Sequence, residues 1–274
     1  MPTDRLSGNI NELIRLNDTV YRTLRPASET IQKLLGHFER MQVPGVPRPR
    51  GISEAGYEIV SFIEGESPQN PWPARTFHRS TLIGIAHLLR RMHDASTTFE
   101  SPPDPVWGDC LPGKAEVICH NDLGPYNLVF GPAGQLGIID FDRAAPGARS
   151  WDLAYAAYRF VPFCAYGKAP RYFASPTLLA ERVCEFCTAY GWPSPASLYE
   201  QMERRLAHEI AWLRDSHPQD LAARKRLLSL GHDNHYIADL EFLRQHRVEL
   251  EDLTSAVLSR LTPTAHSIKL GTSS

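Results

Sequence analysis

The spacing of apolar side chains changes along the chain. Residues 11–17, NELIRLN, set Leu13 and Ile14 among polar neighbours, Asn17-Asp18 supplies a turn, and residues 19–24, TVYRTL, are rich in β-branched and aromatic side chains. That pattern predicts a β-hairpin. After Pro26, which suits a first helical turn, apolar residues recur at Ile31, Leu34, Leu35, Phe38 and Met41, the 3–4 spacing of one helical face. Pro44, Pro47 and Pro49 end that helix in an extended connector, and residues 57–63, YEIVSFI, read as a buried strand. Residues 64–75 carry Gly65, Pro68, Pro71 and Pro73 and read as a linker.

Beyond the linker the period is helical nearly throughout. Leu82, Ile85, Ala86, Leu89 and Met92 form one stripe, a proline-rich loop follows at 101–105, and a compact loop-and-strand region covers 117–140. Helical spacing resumes over 151–161, 178–190, 198–213 and 221–243, with a last segment ending near Leu261. Strands and helices are segregated, which predicts an α+β fold of two lobes with a ligand cleft between them. The expected division is a β-rich N-lobe at 1–64, a hinge at 65–76, a mainly helical C-lobe at 77–262 and a flexible tail at 263–274.

Composition permits a buried core and removes several function classes. Hydrophobic residues make up 42% of 274, and 22 prolines with 18 glycines are too few for a low-complexity chain. Basic side chains number 29 against 31 acidic ones, a formal charge of −2, so there is no positive excess for binding nucleic acid. Five cysteines, odd in number and sparse, fit a reducing compartment rather than a disulfide framework. The start, MPTDRLSGNI, lacks the apolar core of a signal peptide. The most apolar stretch, 153–166, is broken by Arg159 and Pro162 and is too short to span a membrane. A soluble, cytoplasmic protein is expected, and the sequence leaves its oligomeric state open.

The candidate chemistry lies at 118–130, ICHNDLGPYNLVF, and 136–154, LGIIDFDRAAPGARSWDLA. The first segment contains HxDxxxxN, with His120, Asp122 and Asn127; the second ends a predicted strand on Asp140. Magnesium takes oxygen ligands and keeps several waters, so one carboxylate and one amide carbonyl beside nucleotide phosphates suffice, and Asp140 and Asn127 can supply them. A hydroxyl attacking phosphorus needs a carboxylate to take its proton, which suits Asp122. A hairpin turning through Gly131 and Gly134 can bring Asn127 back beside Asp140. His120 reads as a packed, hydrogen-bonded loop histidine, Asp152 as a helix cap, and Asp142 as facing either a metal or solvent.

His120, Asp122, Asn127, Ile139-Asp140-Phe141 and Trp151-Asp152-Leu153-Ala154, in that order, resemble the aminoglycoside phosphotransferase and choline kinase-like family of the protein kinase-like superfamily. The resemblance implies a two-lobed protein kinase-like fold. It also implies transfer of the γ-phosphoryl of ATP or GTP, with Mg²⁺, to a hydroxyl of a small molecule such as an aminoglycoside, another antibiotic or an amino alcohol. Carried over, Asp122 is the catalytic base, Asn127 and Asp140 the magnesium ligands, and Asp152, with His120, the support of the catalytic loop. Gly8, in LSGNIN, takes the place of the phosphate-covering loop. Arg22 stands where the family has a lysine, with Glu29 or Gln32 as its partner. Phe62 and Ile63 form the hinge that meets the base of the nucleotide.

Two other readings remain open: a nucleotide-binding pseudokinase acting as an interaction module, and a metal-dependent phosphohydrolase built on His120, Asp122 and Asp140. Cys184 and Cys187 read as small buried apolar groups. Arg204-Arg205 and Arg224-Lys225-Arg226 read as solvated helical faces, and Asp233, His235 and Asp239 as a polar helix turn.

Overall fold

The strand-forming sequence near the start folds into a five-stranded antiparallel sheet in the order β1-β2-β3-β5-β4, built from β1 (Thr3–Ser7), β2 (Glu12–Leu16), β3 (Thr19–Thr23), β4 (Pro49–Ile52) and β5 (Tyr57–Ser61). The computed structural model describes residues 3–7, 12–163, 175–216 and 221–261. The expected hairpin is β2–β3, turned at Asn17, whose φ is +57°. Two strands were not read from the sequence. Thr3–Ser7 adds an outer strand to β2, and the proline connector ends in β4, which pairs with β5. Alternation along β5 buries Glu58 and Val60 on one face, and the register sets Glu58 directly opposite Arg22 of β3. Residues opposite one another in adjacent strands project to the same face.

Helix α1 (Ser28–Arg40) packs Ile31, Leu34, Leu35 and Phe38 inward as their spacing predicts. Met41, expected on that stripe, falls just past the helix end and is exposed. The left-handed Gln42 (φ +54°) follows it. Helix α2 (Arg79–Ser96) buries Leu82, Ile85, Ala86, Leu89 and Met92. It is followed by β6 (Val117–Cys119), β7 (Leu128–Phe130), β8 (Leu136–Ile138) and β9 (Ala145–Gly147), which pair as β6–β9 and β7–β8. The remaining helices are α3 (Arg149–Phe160), α4 (Pro176–Tyr190), α5 (Ser197–Arg214), α6 (Leu221–Ser229) and α7 (His232–Leu261).

The helix expected over 221–243 is interrupted, because Gly231 adopts φ +73° and the amides of Leu230 and Gly231 close α6 on the carbonyls of Arg226 and Leu228. The segment ending near Leu261 is instead continuous with α7, where Leu243, Leu250 and Val257, each two turns apart, are buried. The result is an α+β, kinase-like fold with a small sheet lobe and a larger helical lobe. One core of buried side chains runs from Ile31 of α1 to Leu250 of α7, so both lobes pack on common ground.

The two lobes also meet through backbone. The Gly45 carbonyl accepts the Ile138 amide of β8 at 2.7 Å, and Glu66 exchanges amide hydrogen bonds with Phe130 of β7 at 2.9 and 3.0 Å. Gly45 has φ +68°, and a Cβ there would lie 2.3 Å from the Leu136 carbonyl oxygen. Gly45→Ala is therefore expected to destabilise the fold by about 1–3 kcal/mol through backbone strain, before the cost of the clash. Urea unfolding measures this; unchanged stability would mean that the connector is free to lift from the hairpin.

Candidate active site

Strand β6 delivers the chain to His120 and α3 delivers Asp152 beneath it, at the first turn of an apolar helix. The Asp152 side chain is fully buried and accepts three hydrogen bonds: the His120 amide at 2.6 Å, the Asn121 amide at 2.8 Å and His93 Nε2 at 3.2 Å. Burial pushes a carboxyl up, but the His93 hydrogen bond and charge, with the other donors, outweigh it and hold Asp152 below its ordinary range. Neither oxygen is left to serve as a simple cap.

His120 donates from Nε2 to the Ile139 carbonyl at 3.0 Å and packs on Phe141, with ring centroids 4.6 Å apart. Its Nδ1 accepts the Asp122 amide at 3.2 Å, so both nitrogens are engaged. Phe141 in turn meets Phe38 of α1 at 6.1 Å, which joins the His120 loop to the helix of the small lobe.

Asn121 was not singled out in the sequence, yet it organises the loop. It adopts φ +64°, a conformation costing about 1–2 kcal/mol, and every polar group around it is engaged. Its Nδ2 donates to Asp109 and the Arg143 carbonyl, its Oδ1 accepts Trp151 Nε1, and its carbonyl accepts Arg205 at 2.6 Å. Asp122 follows, half-buried. Its Oδ1 accepts the Tyr126 hydroxyl at 2.6 Å, and its Oδ2 and carbonyl accept Asn127 Nδ2 at 3.2 and 2.9 Å. Burial raises the Asp122 carboxyl above the usual carboxylate range, with Arg143 and the Tyr126 hydrogen bond opposing.

The expected hairpin is β7–β8, turned through Gly131 and Gly134. The Ile139 amide donates to the Asn127 carbonyl at 3.0 Å, so the ladder continues one step beyond the strands and sets Asn127 next to the Ile139-Asp140 step. Asp140 adopts φ +66° and its side chain is 48% exposed. Asn127 spends its amide nitrogen on Asp122, and among the described residues its Oδ1 has no hydrogen-bond partner. An amide oxygen and an accessible carboxylate are the hard donors that magnesium requires, so the donor set fits that ion.

Arg22 reaches the same place from β3. It bonds Glu58 at 3.0 Å and Asp142 at 2.8 Å, and lies 3.5 Å from Asp140. Its acidic partner is thus neither Glu29 nor Gln32 of α1. Glu58, its cross-strand neighbour, fills that part, and Gln32 instead donates to Glu58 at 2.9 Å. Asp142 pairs with both Arg22 and Arg25. At the expected hinge, the Phe62 amide is taken by the Asp18 carbonyl at 2.6 Å and the Phe62 ring lies under Arg15, 3.5 Å from centroid to guanidinium. The Ile63 side chain packs against Gly137 of β8. Gly8 lies outside the described residues.

Under the loop sits a charged network that the sequence conceals. Arg143 bridges Asp109 and Glu209, each at 2.8 Å, and Arg205 pairs with Glu209 one helical turn away. Arg205, expected on a solvated face, is 1% exposed; Arg224, in the second basic run, is 3% exposed. The i,i+4 spacing of Arg205 and Glu209 was the available signal. Cys184 and Cys187 are buried, and burial raises both thiols, Cys184 to about 11, as expected of inert groups. Asp233 pairs with Arg214, while Asp239 is buried against the Tyr158 hydroxyl. No helix among the described residues is long and apolar enough to cross a membrane.

Residues 104–172, which hold the loop from His120 to Asn127 and the Asp140 and Asp152 motifs, match the phosphotransferase enzyme family. The trifolitoxin immunity protein of Rhizobium leguminosarum bv. trifolii is 34% identical over 158 residues, 55% of this chain and 59% of that protein. The chain thus matches about three-fifths of the length of this curated relative. A Plasmodium vivax ethanolamine kinase superposes with a TM-score of 0.52 at 15% identity, covering 90% of this chain and 82% of the other. An aminoglycoside phosphotransferase from Alicyclobacillus acidocaldarius does so with a TM-score of 0.50 at 16% identity, covering 90% and 92%. These structures share the two-lobed kinase-like fold, and the resemblance read from the motifs is borne out. Together with the family match, it supports a kinase-type phosphotransferase.

The Arg143–Glu209–Arg205 network generates a stability prediction. Burial would raise the Glu209 carboxyl, but Arg143 and Arg205 hold it at about 2, against an ordinary 4.5. Its stabilising contribution is therefore complete above about pH 4.5 and is lost as the pH falls towards 2. Glu209→Gln leaves two buried guanidinium groups short of a counter-charge and is expected to cost about 3–5 kcal/mol in urea unfolding at neutral pH. The variant should also lose less further stability than the native protein across that acid window.

Proposed function

We propose that the protein transfers the γ-phosphoryl of ATP or GTP to a hydroxyl of a small molecule, with Asp122 as the base. The observation that carries this reading is the arrangement of three side chains around one short hairpin. Asp122 and Asn127 are hydrogen-bonded to each other, and the Asn127 carbonyl pairs with the residue before Asp140. In the reaction the acceptor oxygen forms a bond to the γ-phosphorus, and the bond from that phosphorus to the β–γ bridging oxygen breaks. Nucleoside diphosphate leaves with the bridging oxygen, and the hydroxyl proton passes to Asp122.

Asp122 is suited to this step because Tyr126 and Asn127 fix its orientation while burial raises its affinity for a proton. Asn127 and Asp140 would hold Mg²⁺, which supplies charge neutralisation to the triphosphate when bound. Arg22 stands beside Asp140 and offers a planar cation to phosphate oxygens, while Glu58 fixes its approach. The Ile63 backbone is the hinge position for the base, since the Phe62 amide is already used; the phosphate-covering role that the resemblance gives Gly8 falls outside the described residues. Asp152 and His120 act on the loop rather than on substrate. The four described cysteines are free, in keeping with a cytoplasmic protein.

The phosphohydrolase reading needs His120, Asp122 and Asp140 to converge on one metal. Both nitrogens of His120 are engaged elsewhere, and among the described residues that trio does not form a metal-binding cluster. The pseudokinase reading requires a defective centre, whereas Asp122, Asn127 and Asp140 are all present in order.

Nucleotide consumption should be measured across hydroxylated small molecules, including aminoglycosides and choline, with ATP and with GTP. Asp122→Asn is expected to lower turnover by about 10²–10⁴-fold while leaving Mg-nucleotide binding nearly unchanged. Asp140→Ala should weaken Mg-nucleotide binding itself. Full activity in Asp122→Asn would refute the assignment.

A further inference from the structure

One face of Asp122 is bounded by phenol side chains. Its Oδ1 accepts the Tyr126 hydroxyl, which contacts the Tyr155 hydroxyl of α3 at 3.0 Å, and that hydroxyl meets Tyr236 of α7 at 3.3 Å. Trp72 extends the aromatic surface, with its ring 6.4 Å from that of Tyr126.

Arg159 of α3 stands among these rings. Its guanidinium carbon lies 5.2 Å from the Tyr126 ring and 5.8 Å from that of Tyr158. Its Nε is buried without an acceptor. Among the described residues no carboxylate pairs with Arg159, in contrast to Arg22, Arg143 and Arg205 of the same region. Asp239, the acid on the facing helix, is engaged by the hydroxyl end of Tyr158 at 2.6 Å, whereas Arg159 lies over the ring. Burial raises all four phenols above their ordinary range, so they are neutral and give Arg159 ring faces and dipoles rather than a counter-charge.

Two consequences follow for what can bind. Aromatic faces beside a catalytic carboxylate would ordinarily suit a quaternary ammonium, but here two of those faces are already occupied by the protein's own cation. A second cation would meet charge repulsion. A half-buried guanidinium with open donor capacity favours a planar anion that takes two hydrogen bonds.

We propose that the acceptor is a hydroxylated carboxylate, its carboxylate held by Arg159 and its hydroxyl presented to Asp122. The inference rests on the phosphotransferase reading above and narrows its acceptor class, setting aside cationic aminoglycosides and choline-like amino alcohols. The transfer step is unchanged: the hydroxyl oxygen gains the phosphoryl group, its proton goes to Asp122, and the carboxylate takes no part in bond making.

The test pairs each acid with its methyl ester, so that the hydroxyl is kept while the charge is removed. Aliphatic and aromatic hydroxy acids and hydroxy amino acids, their esters, choline and gentamicin are assayed for binding by calorimetry and for nucleotide-dependent phosphorylation. At least one acid should bind about tenfold or more tightly than its ester. Arg159→Met should raise the KM for the acid by a similar factor with a smaller effect on kcat, and should erase the acid-over-ester preference. Arg159→Lys, which keeps the charge, should retain much of it. A merely structural role for Arg159 would lower acid and ester together and leave their ratio unchanged, which would overturn the proposal. So would the absence of any acid preferred over its ester, or preference for choline or gentamicin. Acids that bind in an Arg159-dependent way without being phosphorylated would instead refute the phosphotransferase reading and leave the anion site standing.

Discussion

Two backbone amides converging on one buried carboxylate hold the loop from His120 to Asn127 in place. Asp152 receives the amides of His120 and Asn121 in a site closed to water, with His93 as a third donor. An ionised carboxylate in such surroundings is tolerable only when its lone pairs are satisfied, and the loop backbone satisfies them. The dependence runs both ways. Asn121 keeps a left-handed backbone, and His120 keeps both ring nitrogens engaged, because α3 presents Asp152 at that level. Tyr155 and Arg159 extend along the same helix, so one element supports the loop on one turn and packs against Tyr126 beside it on the next.

Cross-strand register exerts a second control. Arg22 and Glu58 meet because β3 and β5 are paired in a register that places them opposite each other. The usual alternative, an acid on the neighbouring helix, would make the ion pair depend on where that helix sits. Here the pair is internal to the sheet, and α1 contributes through Gln32 to the second oxygen of the same carboxylate. A one-residue slip would turn Glu58 to the other face and leave Arg22 with only Asp142 and Asp140.

The sequence disclosed most where local chemistry determines local geometry. The stripes of α1 and α2, the β2–β3 turn at Asn17 and the hairpin through Gly131 and Gly134 were legible because spacing and turn residues act over a few positions. The motif order from His120 to Asp152 was legible for the same reason. Glu58 was not, since it reads as a polar residue in an apolar strand and acquires its meaning only from a partner 36 positions earlier. Arg205 and Arg224 look like surface charges until α5 and α6 are packed. The interruption at Gly231 was hidden because apolar spacing continues on both sides, and only the backbone angle marks the break. Long-range pairing, rather than residue type, separates what could be read from what could not.

Two segments grip the β7–β8 hairpin, one on each strand: Gly45 of the α1–β4 connector holds β8, and Glu66, in the linker after β5, holds β7. These are main-chain clasps with no compliant side chain in between. Any tilt of the sheet lobe therefore acts on the hairpin as a lever with two points of purchase, and Asp140 at its exit travels with it. In this molecule the spacing of the two lobes and the station of the Asp140 carboxylate are one mechanical coordinate.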